Sequence, residues 1–478
     1  MKKIIIKIFL IIVSGIFLIL AFPPFNKGIF AWIALVPFFF AIKNVSGRIA
    51  FYIGFLWGMV WFGGTLHWLY EIFGVASVTL IAILSFFIGL FGAGHSFFIR
   101  RYNPILTIAI TSILWIAIEF FRSECWTLKF SWMTLGYSQT QHLLLLQLVS
   151  ILGVYGISFL IVIVNVVIYF TIENWRLKGK IITLWGIMAI GILLILLYGK
   201  AVIPENIEGE YTVVGIQDES SCLDRYLKKT KGISNKKPSL VVWPEYALLE
   251  NVLSEPEILD ILFSLAAEIN SYLILGCTDV AQDPSEFYNT AIIISPKHKV
   301  VGKYYKMNPI QLFSDGLPGK TYSVFPTTLG KIGVEICYDM DYTYVSRNLV
   351  KHDAEILVIP TYDAKRWGRI QHLQHSAMTV FRAIENRRFV VRIASSGISQ
   401  IIDPYGNVLN SLGVMEEGVV IGKVSPQRYL SFYTKFGWLF PFLCQIIISW
   451  LIITNIIGKR SGGVTEGDME IKEIGRYY

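Results

Sequence analysis

The sequence predicts two kinds of architecture in one chain: a polytopic α-helical membrane bundle of about eight transmembrane helices, and an α/β domain inserted before the last of them. Three observations carry this reading. Hydrophobic residues make up 54% of the 478 residues and charged residues only 16%, against about 25% charged in ordinary globular domains; with a mean hydropathy of +0.56, this excludes a disordered chain and a purely soluble one. Apolar runs approaching the roughly 20 residues that a bilayer core requires crowd residues 1–200 and recur near 438–457. Between them, 206–430 has ordinary soluble composition, with short β-branched runs alternating with amphipathic stretches. Five cysteines, sparse and odd in number, exclude a disulfide scaffold.

Seven spans are expected before the soluble block, near 4–22, 28–43, 50–70, 76–99, 104–121, 147–172 and 181–199, and an eighth after it. The first is not read as a cleaved leader, because Pro23, Pro24 and Phe25 follow it in place of small residues and further spans come at once. Loop charge sets orientation. With the N-terminus inside, the inner segments carry Lys2, Lys3, Lys43, Arg48, Arg100, Arg101, Arg176, Lys178, Lys180, Lys459 and Arg460, and the short outer ones carry Lys27, Arg122, Lys129 and Lys200. The net charge of +8 is therefore read as membrane topology rather than nucleic-acid binding. The expected organisation is a transmembrane region over 1–205, an outside domain over 206–430, a last helix over 431–460 and a polar, disordered inner tail over 461–478.

Within the outside domain, strands are expected at Tyr211–Gln217, Ser239–Trp243, Tyr272–Gly276, Thr290–Ser295, Lys331–Cys337, Ile356–Pro360 and Phe389–Ala394. Helical periodicity marks Pro256–Ile269 and Gln371–Arg387. Helices then cover sheet faces, and polar residues at strand ends are placed for chemistry. Three stand there: Glu245 after LVVWP, Lys306 after KYY and Cys337 closing KIGVEIC. Singly, each has a bland reading: a buried small hydrophobe for the cysteine, a turn or cap for the glutamate, a solvated side chain for the lysine. Together they are compatible with an acyl-transfer site, with a nucleophile, a carboxylate base and a cation that lowers the thiol pKa and meets the oxyanion; spacing alone does not decide it.

The blocks WPE (Trp243–Glu245), YYK (Tyr304–Lys306) and GVEICYD (Gly333–Asp339) resemble the nitrilase, or carbon–nitrogen hydrolase, superfamily. Leu20–Phe39, Gly54–Tyr70, Ser131–Gln139, Gly153–Asn165 and Phe381–Gly406 resemble the apolipoprotein N-acyltransferases, a membrane-integrated branch of it. The resemblance implies a nitrilase-like α-β-β-α sandwich and a Glu245–Lys306–Cys337 triad. It further implies a ping-pong reaction without metal or organic cofactor, in which a phosphatidylethanolamine-like phospholipid acylates Cys337 and a diacylated apolipoprotein accepts the chain on its α-amine. The setting it implies is a multi-pass protein of the bacterial inner membrane with a periplasmic catalytic domain. Trp243, Tyr338, Asp339, Asp315, Tyr226 and Trp367 are expected to bind substrate or support the triad. Phe436–Trp438 and the aromatic outer loops (His67, Trp68, Tyr70, Trp126, Phe130, Trp132, Tyr137) are expected near the cleft or the membrane interface.

Departures from the family pattern concern the triad's surroundings. Met307–Asp315 reads MNPIQLFSD where the family reads R-H-L-V-P-F-G-E, so Ser314 stands at the second glutamate and Asp315 comes one residue late and one methylene short. Asp339 replaces the family's Cys-Tyr-Glu acid, and Arg225–Tyr226 stands where a Lys-Trp pair is usual. They leave open a membrane-anchored nitrilase-like hydrolase, and a degenerate lipid- or lipoprotein-binding paralogue; a transporter is disfavoured by the scarcity of charge within the spans. Cys125, Cys222, Cys277 and Cys444 lack metal-ligand spacing, and a Cys222–Cys277 pairing stays open. His372 and His375 read as surface or packing residues, and Phe381–Arg388 as a structural ion-pair segment.

Overall fold

The computed structural model describes residues 2–205, 207, 209–311 and 313–461; the expected polar tail lies, past Ser461, outside the described residues. The N-terminal half is helical: α1 (Lys2–Ala21), α2 (Ala31–Ile42), α3 (Gly47–Thr65), α4 (Leu69–Phe73), α5 (Ala76–Phe98), α6 (Pro104–Phe120), α7 (Leu143–Leu146), α8 (Val149–Leu152), α9 (Val154–Glu173) and α10 (Lys178–Val202). Among the described residues, six helices are long and apolar enough to cross a membrane: Lys2–Ala21, Ala76–Phe98, Pro104–Cys125, Val154–Glu173, Lys178–Val202 and Leu439–Ile457. The most apolar stretch of α10 has no buried residue, so this helix is apolar on every side and calls for lipid around it.

Three expected spans are corrected. The second is a 12-residue helix containing Pro37; the Asn165 amide inserts into its ladder, accepting from Leu35 N–H at 2.8 Å and donating to the Ala31 carbonyl at 2.9 Å. The third ends at Thr65, where the Thr65 carbonyl accepts from Gln374 of the α/β domain. The sixth begins at Val154, after a break at Gly153 (φ +67°) against which the Tyr433 ring packs so closely that a Cβ would lie 2.5 Å from it. Helices α3 and α5 meet backbone to backbone, a Cβ at Gly54 falling 2.6 Å from the Ile88 carbonyl, the small-residue contact usual between membrane helices.

The C-terminal half continues with β1 (Tyr211–Gln217), α11 (Leu223–Lys231), β2 (Leu240–Val242), α12 (Pro256–Glu268), β3 (Tyr272–Val280), β4 (Phe287–Ser295), β5 (Lys299–Tyr305), β6 (Val324–Thr327) and β7 (Gly330–Val334). Then come α13 (Thr343–Lys351), β8 (Ile356–Thr361), α14 (Gly368–Asn386), β9 (Phe389–Ala394), β10 (Ser399–Ile402), β11 (Val408–Leu412), β12 (Gly418–Val424), α15 (Phe432–Phe436) and α16 (Leu439–Ser461). Two six-stranded sheets form, ordered β12-β1-β2-β3-β4-β5 and β11-β10-β9-β8-β7-β6. In each, three parallel strands (β1–β2–β3; β7–β8–β9) are flanked by antiparallel ones. Val213, Val242 and Ile274 of the first sheet share one core with Val334, Val358 and Val391 of the second. The first sheet's outer face packs on α11 and α12 through Tyr226, Leu262 and Leu265. The result is the expected α-β-β-α sandwich.

The second sheet's helix layer is covered again from outside. Met340, Tyr342 and Phe381 belong to the same core as Trp57, Trp115 and Tyr155 of the bundle. Arg382 donates to Tyr137 Oη at 2.7 Å, and Gln374 donates to the carbonyls of Pro23 and Thr65 at 3.1 and 2.9 Å. α14 is therefore buried on both faces, and the bundle closes directly over the end of the sandwich where the parallel strands terminate.

Candidate active site

Three strand ends converge. Glu245 follows β2, Lys306 follows β5, and Cys337 opens the 3₁₀ turn Cys337–Asp341 three residues after β7 ends. The expected strand through Cys337 thus stops at Val334, and the cysteine sits on a tight turn at φ +49°. Tyr246, beside Glu245, holds φ +54°. Left-handed backbone costs a non-glycine residue about 1–3 kcal/mol and gathers at functional sites; here it turns the chain at the thiol itself and at the residue after the carboxylate.

The charges form one buried network. The Lys306 ammonium donates to Glu245 Oε1 at 2.8 Å and pairs with Asp315 Oδ2 at 2.7 Å. Asn289 on β4 bridges both acids from Nδ2, at 2.6 Å to Glu245 Oε1 and 2.8 Å to Asp315 Oδ1. Asp315 also accepts from Tyr246 Oη at 2.9 Å and Ile310 N–H at 2.8 Å. Glu245 Oε2 accepts from Tyr362 N–H at 2.6 Å. The Cys337 thiol points at the Tyr362 carbonyl, 3.7 Å away, within electrostatic reach of Glu245 and Lys306.

The two carboxylates are driven apart. Burial raises the Glu245 pKa and the Asp315 charge adds to this, against Lys306. Burial also works against the Asp315 charge, but Lys306 and the amide donors reverse it and hold that acid ionised. Burial alone would lower Lys306; the two acids more than reverse it and keep the ammonium charged. Burial raises the Cys337 thiol, Glu245 adds to this, and Lys306 opposes it. A pair of acids split this way can divide proton acceptance from fixed charge: the shift favours a proton on Glu245 over Asp315, which stays charged beside the lysine.

Two clefts meet at this network. One, of about 960 Å³, lies between the bundle and the domain; Trp68, Ile72, Phe73, Leu80 and Leu84 line it from the bundle, and Ile310, Phe313, Cys337, Tyr338, Trp367 and His375 from the domain. The other, of about 1250 Å³, lies within the domain and is lined by Ser221, Glu245, Tyr246, Thr278, Lys306, Asp315 and Arg366. Ile310, Phe313 and Trp367 line both, with the Phe313 and Trp367 rings 6.4 Å apart.

Sequence reasoning placed several of these residues and misplaced others. Asp315 reaches Lys306 despite its shifted, shorter side chain, because the preceding loop folds back through the Ile310 N–H bond. Tyr338 and Trp367 line the apolar cleft. Asp339 does not face it: this buried carboxylate ties the loops together, accepting from Tyr304 Oη at 2.8 Å, Asn308 N–H at 2.7 Å and Ile336 N–H at 3.2 Å. Tyr226 and Trp243 lie on the far side of their sheet, stacked at 4.8 Å and lining neither cleft; alternation along β2 turns Trp243 away from the site. Trp438 packs on Phe120 and Tyr344 and donates to Thr343 Oγ1 at 2.8 Å, outside the cleft linings. Cys222 and Cys277 are free thiols. His372 and His375 are buried, not at the surface, because the bundle covers the side of α14 that the sequence presents as solvent-facing. Asn289, Tyr246 and Asp363 were missed; the signal for Asn289 was a lone amide within the apolar run FYNTAIIIS.

Comparison with known proteins agrees with this architecture. Residues 14–167 match the apolipoprotein N-acyltransferase N-terminal domain family and residues 214–432 the carbon–nitrogen hydrolase family. The chain is 28% identical to an apolipoprotein N-acyltransferase of Geobacter metallireducens, covering 91% of this chain and 92% of that one. Proteins of the same name from Pseudomonas aeruginosa (26% identity; 93% and 95% covered) and Thermotoga maritima (25%; 96% and 96%) are similar over nearly their whole length. The chain belongs to the apolipoprotein N-acyltransferase family.

Proposed function

We propose that this membrane protein N-acylates bacterial lipoproteins, moving a fatty acyl chain from a phospholipid through a thioester on Cys337 to the α-amine of a diacylglyceryl-cysteine. The observation that carries the reading is the cysteine itself: it stands where an apolar cleft walled by membrane helices meets the buried Glu245–Lys306–Asp315 network. An acyl chain drawn into water would cost about 0.8 kcal/mol per CH₂; a cleft continuous with the bundle avoids that exposure.

In the first half-reaction Glu245 takes the thiol proton, and the thiolate attacks the ester carbonyl of the phospholipid. Lys306, kept charged by its two acids, stabilises the oxyanion. Collapse breaks the ester C–O bond, Glu245 returns its proton to the leaving lysophospholipid oxygen, and the S-acyl enzyme remains. In the second, the lipoprotein α-amine attacks the thioester, Glu245 accepts its proton, and the Cys337 sulfur leaves and is reprotonated. The donor is phosphatidylethanolamine-like. The placement is the inner membrane, with eight crossings and the domain over 206–430 on the periplasmic side; the excess of basic residues on the opposite loops supports this orientation.

The test is to incubate purified protein in detergent with phosphatidylethanolamine and a synthetic diacylated lipopeptide, then weigh the peptide. Gain of one acyl chain at the α-amine, abolished in Cys337→Ala, is expected. Release of free fatty acid with no gain by the peptide would replace this reading with a membrane-anchored hydrolase.

A further inference from the structure

Beside the thiol lies a second buried charge cluster that the mechanism above does not use. His375 on α14 stands between two carboxylates, with Nδ1 2.8 Å from Asp363 Oδ1 and Nε2 3.2 Å from Asp341 Oδ1. Arg392 on β9 donates to Asp363 Oδ2 at 2.6 Å, and Gln371 donates to Asp363 Oδ1 at 3.2 Å. The donor atoms of Cys337, Asp363 and His375 all lie within 4.8 Å of one another. The groups facing this imidazole are thus Asp341 from the nucleophile's turn, Asp363 after β8, Arg392 from β9, His372 from its own helix and Trp132 from the bundle.

The two carboxylates belong to the two backbone segments that frame the sulfur. Asp341 closes the turn that Cys337 opens. Asp363 follows Tyr362, whose carbonyl faces the thiol and whose N–H holds Glu245. After burial and Glu245, the Asp363 charge also opposes ionisation of Cys337. With His375 and Arg392 charged, the two acids are matched by two cations. Burial works against the imidazolium, but Asp363 and Asp341 overcome it and push the His375 pKa up to about 9.

We propose that His375 is a positioning residue for acyl transfer: its imidazolium fastens the Cys337–Asp341 turn to the Tyr362–Asp363 segment and cancels the negative charge set against the thiolate. This rests on the reading of Cys337 as nucleophile. The clasp also reaches the lipid side. The Trp132 ring stacks on His375 at 5.5 Å and donates to Asp341, and Trp68 packs on Trp132 at 4.7 Å while donating to Gln374 at 2.9 Å. The wall an acyl chain would touch is the wall that holds the sulfur in place.

The test measures alkylation of Cys337 by iodoacetamide from pH 6 to 10, on the full chain in detergent without lipid, by peptide-resolved mass spectrometry. His375→Gln keeps a hydrogen-bonding side chain and loses the charge. It is expected to alkylate about tenfold more slowly than wild type at pH 7, a shift of about one pKa unit. The two should converge above pH about 9, where the wild-type imidazolium loses its proton. Asp341→Asn removes a negative charge and is expected to alkylate faster at pH 7 while Cys277, buried in the sandwich core, stays unlabelled; a loosened fold would expose both thiols. Overlapping wild-type and His375→Gln profiles, a constant ratio at every pH, or an Asp341→Asn no faster than wild type would overturn the proposal. Because no lipid or lipopeptide is present, failure of the acyltransferase reading in the mass assay leaves this outcome separately readable.

Discussion

The two clefts that meet at Ile310, Phe313 and Trp367 differ in almost every respect except this shared wall. The apolar one is built half from bundle helices and presents Leu, Ile, Phe and Trp side chains around the sulfur. The polar one lies within the sandwich and is lined by Glu245, Lys306 and Asp315. Under the proposed reaction this contrast lets one site serve a lipid and an amine: the Cys337 thiol faces the compartment that suits an acyl chain, and Glu245, Lys306 and Asp315 face the one that suits water and a polar substrate. Ile310, Phe313 and Trp367 separate them.

The largest expected effects fall on the polar side. Glu245→Gln should lose about 10³-fold in kcat/KM, within the range for a general base. Asp315→Asn, which removes a charge beside the base and not the base itself, should lose only about 10–100-fold. The two variants also differ in pH dependence. A base with a raised pKa is protonated and idle at low pH, so wild-type activity should fall on the acid side at a higher pH than an ordinary carboxylate would dictate. Removing the Asp315 charge takes away one cause of that rise, so the acid limb of Asp315→Asn should move to lower pH. Initial rates from pH 4 to 9 check this; an acid limb that stays in place or moves up would break the assignment of base and partner.

A smaller effect is expected at the shared wall. Phe313→Ala removes a ring that packs on Phe73 at 5.4 Å and lies 6.4 Å from Trp367. Opening the partition should admit water to the thioester and raise the ratio of fatty-acid release to acyl transfer about threefold to tenfold, because exclusion of water is what protects such an intermediate. Product partitioning measured with radiolabelled phospholipid reads this directly. An unchanged ratio would mean that the two clefts are not functionally separate.

How much of this was legible in the sequence follows the same division. Glu245, Lys306 and Cys337 could be read because each ends a β-branched run within a short motif. The apolar helices could be read because hydropathy is a property of local composition. The breaks at Leu66 and Gly153 could not, since tertiary partners, Gln374 and Tyr433, fix them. For His375 the sequence leaves surface and packing both open for the same reason: α14 has amphipathic periodicity, and only the bundle, distant in sequence, buries its polar face. Asp363 looks like an ordinary loop acid until β9 brings Arg392 to it. Trp243 misled in the opposite way, since a tryptophan next to a catalytic motif suggests a cleft wall, yet strand alternation sends it to the far core.

In the proposed reaction Cys337 carries the acyl group between a lipid and an amine. The most direct measurement is the intact mass of the purified chain after incubation with phosphatidylethanolamine alone. One added acyl chain is expected, mapped to the peptide containing Cys337, released by neutral hydroxylamine and lost on addition of a diacylated lipopeptide. Transfer to the lipopeptide without any acyl group on Cys337, or an acyl group found on another residue and still passed to the lipopeptide, would contradict it.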